Sequence, residues 1–346
     1  MSPLRILILS DGRPGHFNLS EGIAAAIGRL RPTTVTRIAV RRGRWPGPVL
    51  AALTRLPPLP PGHLLAATYG IDVDALPAID IVISAGAETL AANIWVARAR
   101  AVPNLFYGSL RQYRPTDFSL VLTSYRRNAG RPRHMLALKP SALDPDQLTD
   151  SREHKQSDPS QPPTRAALLL GGDAGTFSYT DTDWDRLLGF LPAAHAAFGT
   201  TWLVSNSRRT PTHVSDRVAD LARAAKGGIE RFVDVRTAGA GPLAEILGAV
   251  DAVVCTDDSS SMISECIWAQ LPVIGVTPVK YHHTPDEGEY RRWLADQGWC
   301  RSMAIADLSA ATFLANLGSI APLQVNPLDE LADRIVAAVP QLGSRA

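Results

Sequence analysis

Cysteine is nearly missing. The 346 residues hold three, at positions 255, 266 and 300, an odd number with no C-x-x-C spacing. That excludes a disulfide framework and a cysteine-held zinc site, and it fits a reducing compartment. Cys255 and Cys266 fall in apolar stretches, where a thiol serves as a small buried hydrophobe. No H-x-x-x-H pair occurs either, which removes a helical zinc site. Asp181-Thr182-Asp183 has the D-x-D spacing of a manganese-binding transferase, but it opens a helical pattern, where aspartate is expected as a cap. No metal and no resident cofactor are expected.

Long apolar runs are also missing. None reaches the roughly 18 to 20 residues of a membrane span. The N-terminus, MSPLRILILSDG, has one basic residue and a short apolar run that breaks at Asp11-Gly12, so it does not read as a signal peptide. A soluble, cytoplasmic protein is expected. The dinucleotide fingerprint G-x-G-x-x-G is absent, and no repeat of 20 to 50 residues is visible.

What is present is globular in kind, with 45% apolar and 20% charged residues. At roughly 150 residues per domain the chain should hold about two domains. The net charge of +2 hides an imbalance: residues 1–150 carry 18 Lys+Arg against 10 Asp+Glu, and the remainder 17 against 23. A basic half beside an acidic half suggests a face that meets an anionic partner, although an arginine-rich composition alone would give the same sums.

Short apolar strands alternate with helical patterns in both halves. Strands are expected at Leu4–Leu9, Val35–Val40, Ile79–Ser84, Asn104–Tyr107 and Phe118–Thr123, with helices at Ser20–Leu30 and Ala87–Ala99. The Pro/Arg-rich stretch from Arg41 to Gly62 reads as a loose amphipathic excursion. After a polar, proline-bearing linker the rhythm restarts with strands at Ala166–Leu170, Thr201–Val204, Arg231–Val235, Ala252–Thr256 and Pro272–Val276. Such a pattern indicates parallel sheets covered on both faces. The expected architecture is α/β, two Rossmann-like doubly wound domains facing a central cleft. Residues 1–143 would form the acceptor domain, 144–164 the linker and 165–346 the donor domain, with the last helices open to crossing back onto the first domain.

Four loops at strand ends could carry chemistry. In Ser10-Asp11-Gly12-Arg13-Pro14-Gly15-His16, Gly12 and Gly15 let the backbone lie close to a ligand. His16 could take a proton from a hydroxyl. Gly171 and Gly172, at the equivalent turn of the second half, suit a backbone approaching phosphate or sugar. Arg208 and Arg209 could neutralise a diphosphate, or be solvated loop charges. The last loop runs from Thr256 through Ser259, Ser260, Ser261 and Met262 to Glu265. Its serines open a helix whose N–H groups and dipole favour phosphate, and Glu265 could accept both hydroxyls of a ribose. An ordinary serine cap followed by a helical glutamate has the same spacing. His282 and His283 could reach a donor sugar, or be plain loop residues.

The stretches SDGRPGH, LLLGGDAGTFSYT, SRRTP and TDDSSSMISECIWAQLP together resemble the mitochondrial-fission ELM-like family of GT-B glycosyltransferases, in order and over most of the chain. The last stretch is also similar to the donor site of the bacterial transferase that adds N-acetylglucosamine in peptidoglycan synthesis. The resemblance implies a GT-B fold, metal-independent transfer, Glu265 as ribose ligand, and His16 or Asp11 as acid/base residues. The segment Tyr107–Asn128 departs from the family's pattern, ending in Thr-Ser-Tyr-Arg-Arg, so acceptor choice does not carry over.

The expected function is therefore sugar transfer, with inversion, from a nucleotide-diphosphate sugar to a cell-envelope or lipid-linked saccharide. Peripheral association with the inner face of the membrane is compatible with the basic half, and nucleic acid is not an expected partner. A nucleotide-sugar 2-epimerase on the same fold, or a non-catalytic nucleotide-sugar-binding scaffold, are the alternatives.

Overall fold

The apolar run LRILILS forms strand β1 (Leu4–Ser10), which seeds the first sheet. A computed structural model describes residues 2–56, 60–149, 161–224, 227–239 and 243–343. The chain divides into two compact units, Met1–Ala142 with Pro327–Ala346, and Leu143–Asn326.

In the first unit β1 is followed by α1 (Pro14–Leu30), β2 (Thr33–Ala39), α2 (Gly47–Leu53), α3 (Pro61–Tyr69), β3 (Ile81–Ala85) and α4 (Leu90–Arg100). Strands β4 (Asn104–Tyr107), β5 (Leu120–Thr123) and β6 (His134–Leu136) complete it. The six strands form one parallel sheet in the order β2-β1-β3-β4-β5-β6. Every residue of β3, β4 and β5 is buried, which is why these segments read as unbroken apolar runs. Trp95, Phe106 and Phe118 fill the core beside them.

The second unit opens with α5 (Pro145–Thr149), β7 (Arg165–Leu169), β8 (Phe177–Ser178), α6 (Asp181–Phe198) and β9 (Thr201–Ser205). Next come α7 (Thr212–Arg223), β10 (Ile229–Val233), α8 (Val235–Ala238), α9 (Leu243–Gly248), β11 (Ala252–Thr256) and α10 (Ser260–Trp268). It closes with β12 (Val273–Thr277), β13 (Lys280–Tyr281), α11 (Pro285–Asp296), β14 (Cys300–Ala304) and α12 (Ala310–Leu317). Its main sheet is parallel, in the order β10-β9-β7-β11-β12-β14, and β13 pairs with β8 antiparallel. In its core Phe190 packs edge to face on both Trp202 and Phe313, with centroids 5.3 Å apart in each pair. Cys255, Cys266 and Cys300 are all buried and free, as small hydrophobes should be.

The final helix, α13 (Pro327–Ala338), belongs to the first unit, where it packs on α1. Arg29 pairs with Asp329 at 2.6 Å, and Arg334 donates to the Leu136 carbonyl.

Three local readings need correction. Helix α1 begins at Pro14, not Ser20, because proline at the first helical position is preorganised for the turn and lacks only an N–H that would be unpaired there. The described part of the excursion from Arg41 to Gly62 is not loose: it contains α2 and the start of α3, each with proline in its first turn, and buries Leu50 and Ala51. Part of the expected linker is folded, since Pro145–Thr149 is helical and Asn326 donates to both Asp144 and Asp146 at 2.9 Å. Residues 150–160 lie outside the described residues, and at the far end of the stretch the Pro163 carbonyl accepts from Thr200 Oγ1 at 2.8 Å.

One close packing contact is testable. A Cβ on Gly22 in α1 would lie 2.5 Å from the Ser141 nitrogen and 2.6 Å from the Pro140 carbonyl carbon, both backbone atoms. Gly22→Ala should destabilise the protein by about 1–3 kcal/mol. Gly189→Ala, at an exposed position of α6 with nothing within 4 Å, should stabilise it by about 0.5–1 kcal/mol. Urea unfolding of the two variants checks both signs.

Candidate functional site

In an open parallel sheet, ligands bind beyond the strand C-termini at the point where strand order reverses. In the first unit that point lies between β1 and β3, and in the second between β7 and β11. Both positions hold residues singled out from the sequence.

At the first reversal the chain leaves β1 through Asp11-Gly12-Arg13. Gly12 takes the left-handed φ of +79° that the turn requires. Asp11 has a side chain only 2% exposed, and its Oδ1 accepts from the Arg13 N–H at 3.1 Å. Its Oδ2 lies 2.7 Å from His16 Nδ1. A carboxylate there calls for a proton on Nδ1, which leaves Nε2 as the acceptor nitrogen of a neutral ring. The His16 side chain is 32% exposed, so the dyad is oriented from within and open outward. Because α1 starts at Pro14, Gly15 and His16 sit in its first turn rather than in a loop.

Gly86, just after β3, completes this site and was not singled out from the sequence. Its φ is +91°, and a Cβ there would collide with His16 Nδ1 and lie 2.8 Å from Asp11 Oδ2. Only glycine lets the β3 loop close over the dyad. Two residues on, Glu88 pairs with Arg42 at 2.8 Å.

At the second reversal the glycine turn is tied to its neighbours through Gly171. Gly171 N–H donates to Thr256 Oγ1 at 2.6 Å, and Thr210 Oγ1 donates to the Gly171 carbonyl at 2.6 Å. A Cβ on Gly171 would strike the Asp258 carboxylate, and one on Gly172 the Arg209 carbonyl oxygen. The sequence reading gave these glycines to phosphate or sugar. Here the side on which each would carry a Cβ is filled by Asp258 and by the backbone of Arg209, so close packing alone already requires glycine at both positions. Thr256, fully buried, is likewise occupied by the turn.

Arg208 and Arg209 part company. Arg209 forms an ion pair with the fully enclosed Asp258 carboxylate, which also accepts from the Tyr179 hydroxyl at 3.1 Å. Burial, with Asp258 beside it, pushes the Tyr179 hydroxyl well above the usual phenol range. Arg208 is exposed and has no ion pair among the described residues.

Helix α10 begins at this reversal. Ser259 is its cap and its Oγ accepts from the Met262 N–H at 3.3 Å. The Met262 amide is thus taken by the cap, and the N–H groups left for a phosphate are those of the earlier turn, including Ser261. Ser264 lies inward, bonded to the Ser260 carbonyl at 2.6 Å and to the Tyr290 hydroxyl at 2.7 Å. Glu265 is half-buried, and no hydrogen bond or ion pair to its carboxylate exists among the described residues. Desolvation raises its pKa to about 7.

A buried cluster lies directly before this helix. Asp257, fully buried, accepts from Arg291 Nε at 2.5 Å through Oδ1, and its carbonyl accepts from Arg291 Nη2 at 2.8 Å. Its Oδ2 has no hydrogen bond but faces His283 Nε2 at 3.4 Å. His283 is held edge-on by Phe177 and Tyr281, at centroid distances of 5.3 and 5.4 Å. Of the two loop histidines, His283 is therefore built into the second unit. Arg291 and Tyr179 gave no local sequence signal, since each sits in an ordinary amphipathic or aromatic context far along the chain from its partner. Asp181-Thr182-Asp183 acts as a helix start: Thr180 caps α6 in a reciprocal box with Asp183.

The described residues contain no group of His, Cys, Asp and Glu arranged to hold a metal ion, and no helix among them is long and apolar enough to cross a membrane.

Comparison with solved structures gives the architecture a counterpart. MurG of Acinetobacter baumannii superposes with a TM-score of 0.51 at 12% identity, over 98% of this chain and 100% of that one. The UDP-GlcNAc 2-epimerase of Methanocaldococcus jannaschii reaches 0.54 at 12% identity, over 98% and 99%. MnaA of S. aureus, solved with UDP, reaches 0.50 at 11% identity, over 97% and 96%. At such identities the likeness is one of fold, and the fold is GT-B, shared by nucleotide-sugar-using transferases and epimerases. No curated protein sequence matches the chain. A family model described as mitochondrial fission ELM1 matches residues 14–341, from the first turn of α1 to the last turn after α13, and the chain belongs to that family.

Proposed function

We propose that the protein transfers a sugar, with inversion, from a nucleotide-diphosphate sugar to a hydroxyl of a cell-envelope or lipid-linked saccharide. The observation that carries this reading is Glu265: a desolvated carboxylate without a protein partner, on the helix whose N-terminus opens at the second-unit reversal. A half-buried carboxylate without a partner carries a desolvation cost, and the two hydroxyls of a ribose would supply the missing donors. In this reading the diphosphate rests at the start of α10, where the helix dipole and the Ser261 amide favour negative charge. Arg208 counters the charge of the leaving group, while Arg209 keeps Asp258 and the glycine turn in place.

His16 is the base. Its Nε2 accepts the proton of the acceptor hydroxyl, the freed oxygen bonds to the anomeric carbon, and the bond to the diphosphate breaks on the opposite face. Asp11 holds the ring and stabilises the imidazolium as it forms. Stabilising the departing diphosphate contributes most at such sites.

A 2-epimerase reading is favoured by one observation, the Asp257–His283 pair in the second unit, which places a second imidazole beside α10. A nucleotide sugar consumed without any acceptor would select it. Thermal shift against nucleoside diphosphates and their sugars, followed by turnover assays with and without saccharide acceptors, separates the readings. Stabilisation by a ligand tracks its concentration over Kd.

The base assignment makes a kinetic prediction. His16→Ala should lower transfer by about 10²–10⁴-fold while leaving the affinity for the nucleotide sugar unchanged. Gly86→Ala should act on the same step by displacing the imidazole, also without loss of donor affinity. Undiminished transfer in His16→Ala would remove that residue from the mechanism.

Glu265 makes a prediction in pH. Its free carboxyl has a pKa near 7, and ribose donors favour the charged form, so binding lowers that pKa and releases a proton. Affinity for a nucleotide sugar, whose esterified diphosphate does not titrate in this range, should rise with pH up to about 7 and then level. Below that it should fall by up to about tenfold per pH unit. In Glu265→Gln the affinity should be weaker and its pH slope flat. Isothermal titration across pH 5–8 (about three units) reads both, and an unchanged slope in the variant would sink the assignment.

A further inference from the structure

Among the described residues six large apolar side chains are exposed, and three of them, Trp45 (44%), Val49 (40%) and Leu56 (55%), fall within one twelve-residue stretch of the first unit. That stretch carries α2, which sits on a firm base. Leu50, Ala51 and Thr54 are buried beneath it, and the Thr54 carbonyl accepts from Arg98 at 2.8 Å. Val49 is therefore presented outward by an anchored helix, and Trp45 and Leu56 lie within three residues of its two ends.

The charge around them has one sign. No aspartate or glutamate occurs between Glu21 and Asp72, whereas Arg41, Arg44 and Arg55 lie beside the apolar trio and are exposed, Arg55 also donating to the Gln112 carbonyl. Arg41 and Arg44 have no ion pair among the described residues. The stretch leaves β2 at Ala39, which pairs in register with Ser10, so it rises from the sheet end that bears Asp11 and His16. Arg42, bonded to Glu88, ties it to the loop of Gly86.

We propose that residues 41–56 dock the protein on an anionic lipid bilayer, with Trp45, Val49 and Leu56 entering the headgroup region and Arg41, Arg44 and Arg55 meeting lipid phosphates. Tryptophan favours the membrane–water boundary, and shallow apolar insertion combined with basic charge is the pairing that makes peripheral binding stable. A nucleic acid would engage the arginines and leave Val49 and Leu56 in water. This deepens the reading above by naming the surface that presents a lipid-linked acceptor on the His16 side of the first unit.

The test is sedimentation of the full chain with vesicles of phosphatidylcholine alone and of phosphatidylcholine with phosphatidylglycerol. Binding is expected only with phosphatidylglycerol and should weaken as salt rises. Replacing Arg41 and Arg44 together by glutamine should reduce it by on the order of tenfold or more. Trp45→Ser combined with Leu56→Ser should reduce it similarly, and Val279→Ser, at an exposed apolar residue of the second unit, should leave it unchanged. Urea unfolding of each variant confirms that the fold is kept. Nucleotide-sugar affinity should be the same in all of them, so a failed donor assignment and a failed docking surface give different results. Equal sedimentation with both vesicle types, binding unaffected by either double variant, or capture of RNA in preference to anionic vesicles overturns the proposal.

Discussion

A glycine facing an aspartate across a strand reversal is the constraint on which both units turn. A parallel sheet covered by helices exposes backbone only at its strand ends, and the loops diverge only where strand order reverses. There Gly86 lies against Asp11 and His16, and Gly171 lies against Asp258. A side chain at either glycine would push the carboxylate aside. The two units use the same close approach in opposite ways. In the first, the enclosed carboxylate acts through an imidazole that reaches outward. In the second, it is enclosed completely and holds Arg209 and Tyr179, which makes a fixed floor beside α10.

The balance of charge separates scaffold from candidate ligand groups. Asp257 and Asp258 are consecutive and their side chains are both fully enclosed. Two such charges would not be tolerated side by side without compensation, and each has its own arginine, Arg291 and Arg209. A buried ion pair is a weak source of stability but a strong restraint on geometry. These two pairs fix the backbone that leads into α10, and with it the direction of its first amides. Glu265 is the contrary case, since burial has raised its pKa without giving it a partner. Groups whose charge the protein already satisfies are framework, and the unsatisfied ones are available to a ligand. The same criterion divides Arg208 from Arg209, which the sequence could only treat as a pair.

Sequence periodicity was informative wherever burial is local. β4 and β11 have the expected bounds because every one of their residues is buried on both faces, so the apolar run and the strand coincide. It was less informative where proline decides, since Pro14, and the prolines that open α2 and α3, start helices that an amphipathic count places later or not at all. The dyad itself was half visible: Asp11 and His16 are five residues apart and share a turn. Gly86 was not, because its role depends on a register between β1 and β3, Leu9 beside Ser84, that no local pattern encodes. Arg291 and Asp257 are separated by 34 residues and Arg209 and Asp258 by 49, so their pairing belongs to the fold and not to either segment.

The excess of basic residues in the first half illustrates how structure sharpens a bulk quantity. Taken as a sum it fits either a docking face or a compositional habit. Within the fold many of the arginines are paired locally, Arg5 with Asp80, Arg29 with Asp329, Arg37 with Glu21, Arg42 with Glu88 and Arg98 with Asp117, so the excess is carried by the arginines left over. Pairs of this kind contribute little at long range, because opposite charges a few ångströms apart look neutral beyond a Debye length of about 8–10 Å. What an approaching surface meets is the unpaired remainder. In the stretch after β2 that remainder, Arg41 and Arg44, lies next to three exposed apolar side chains in a span of sequence without an acid. A compositional habit accounts for the number of arginines, but it does not account for water-exposed tryptophan, valine and leucine being set among them on and beside an anchored helix.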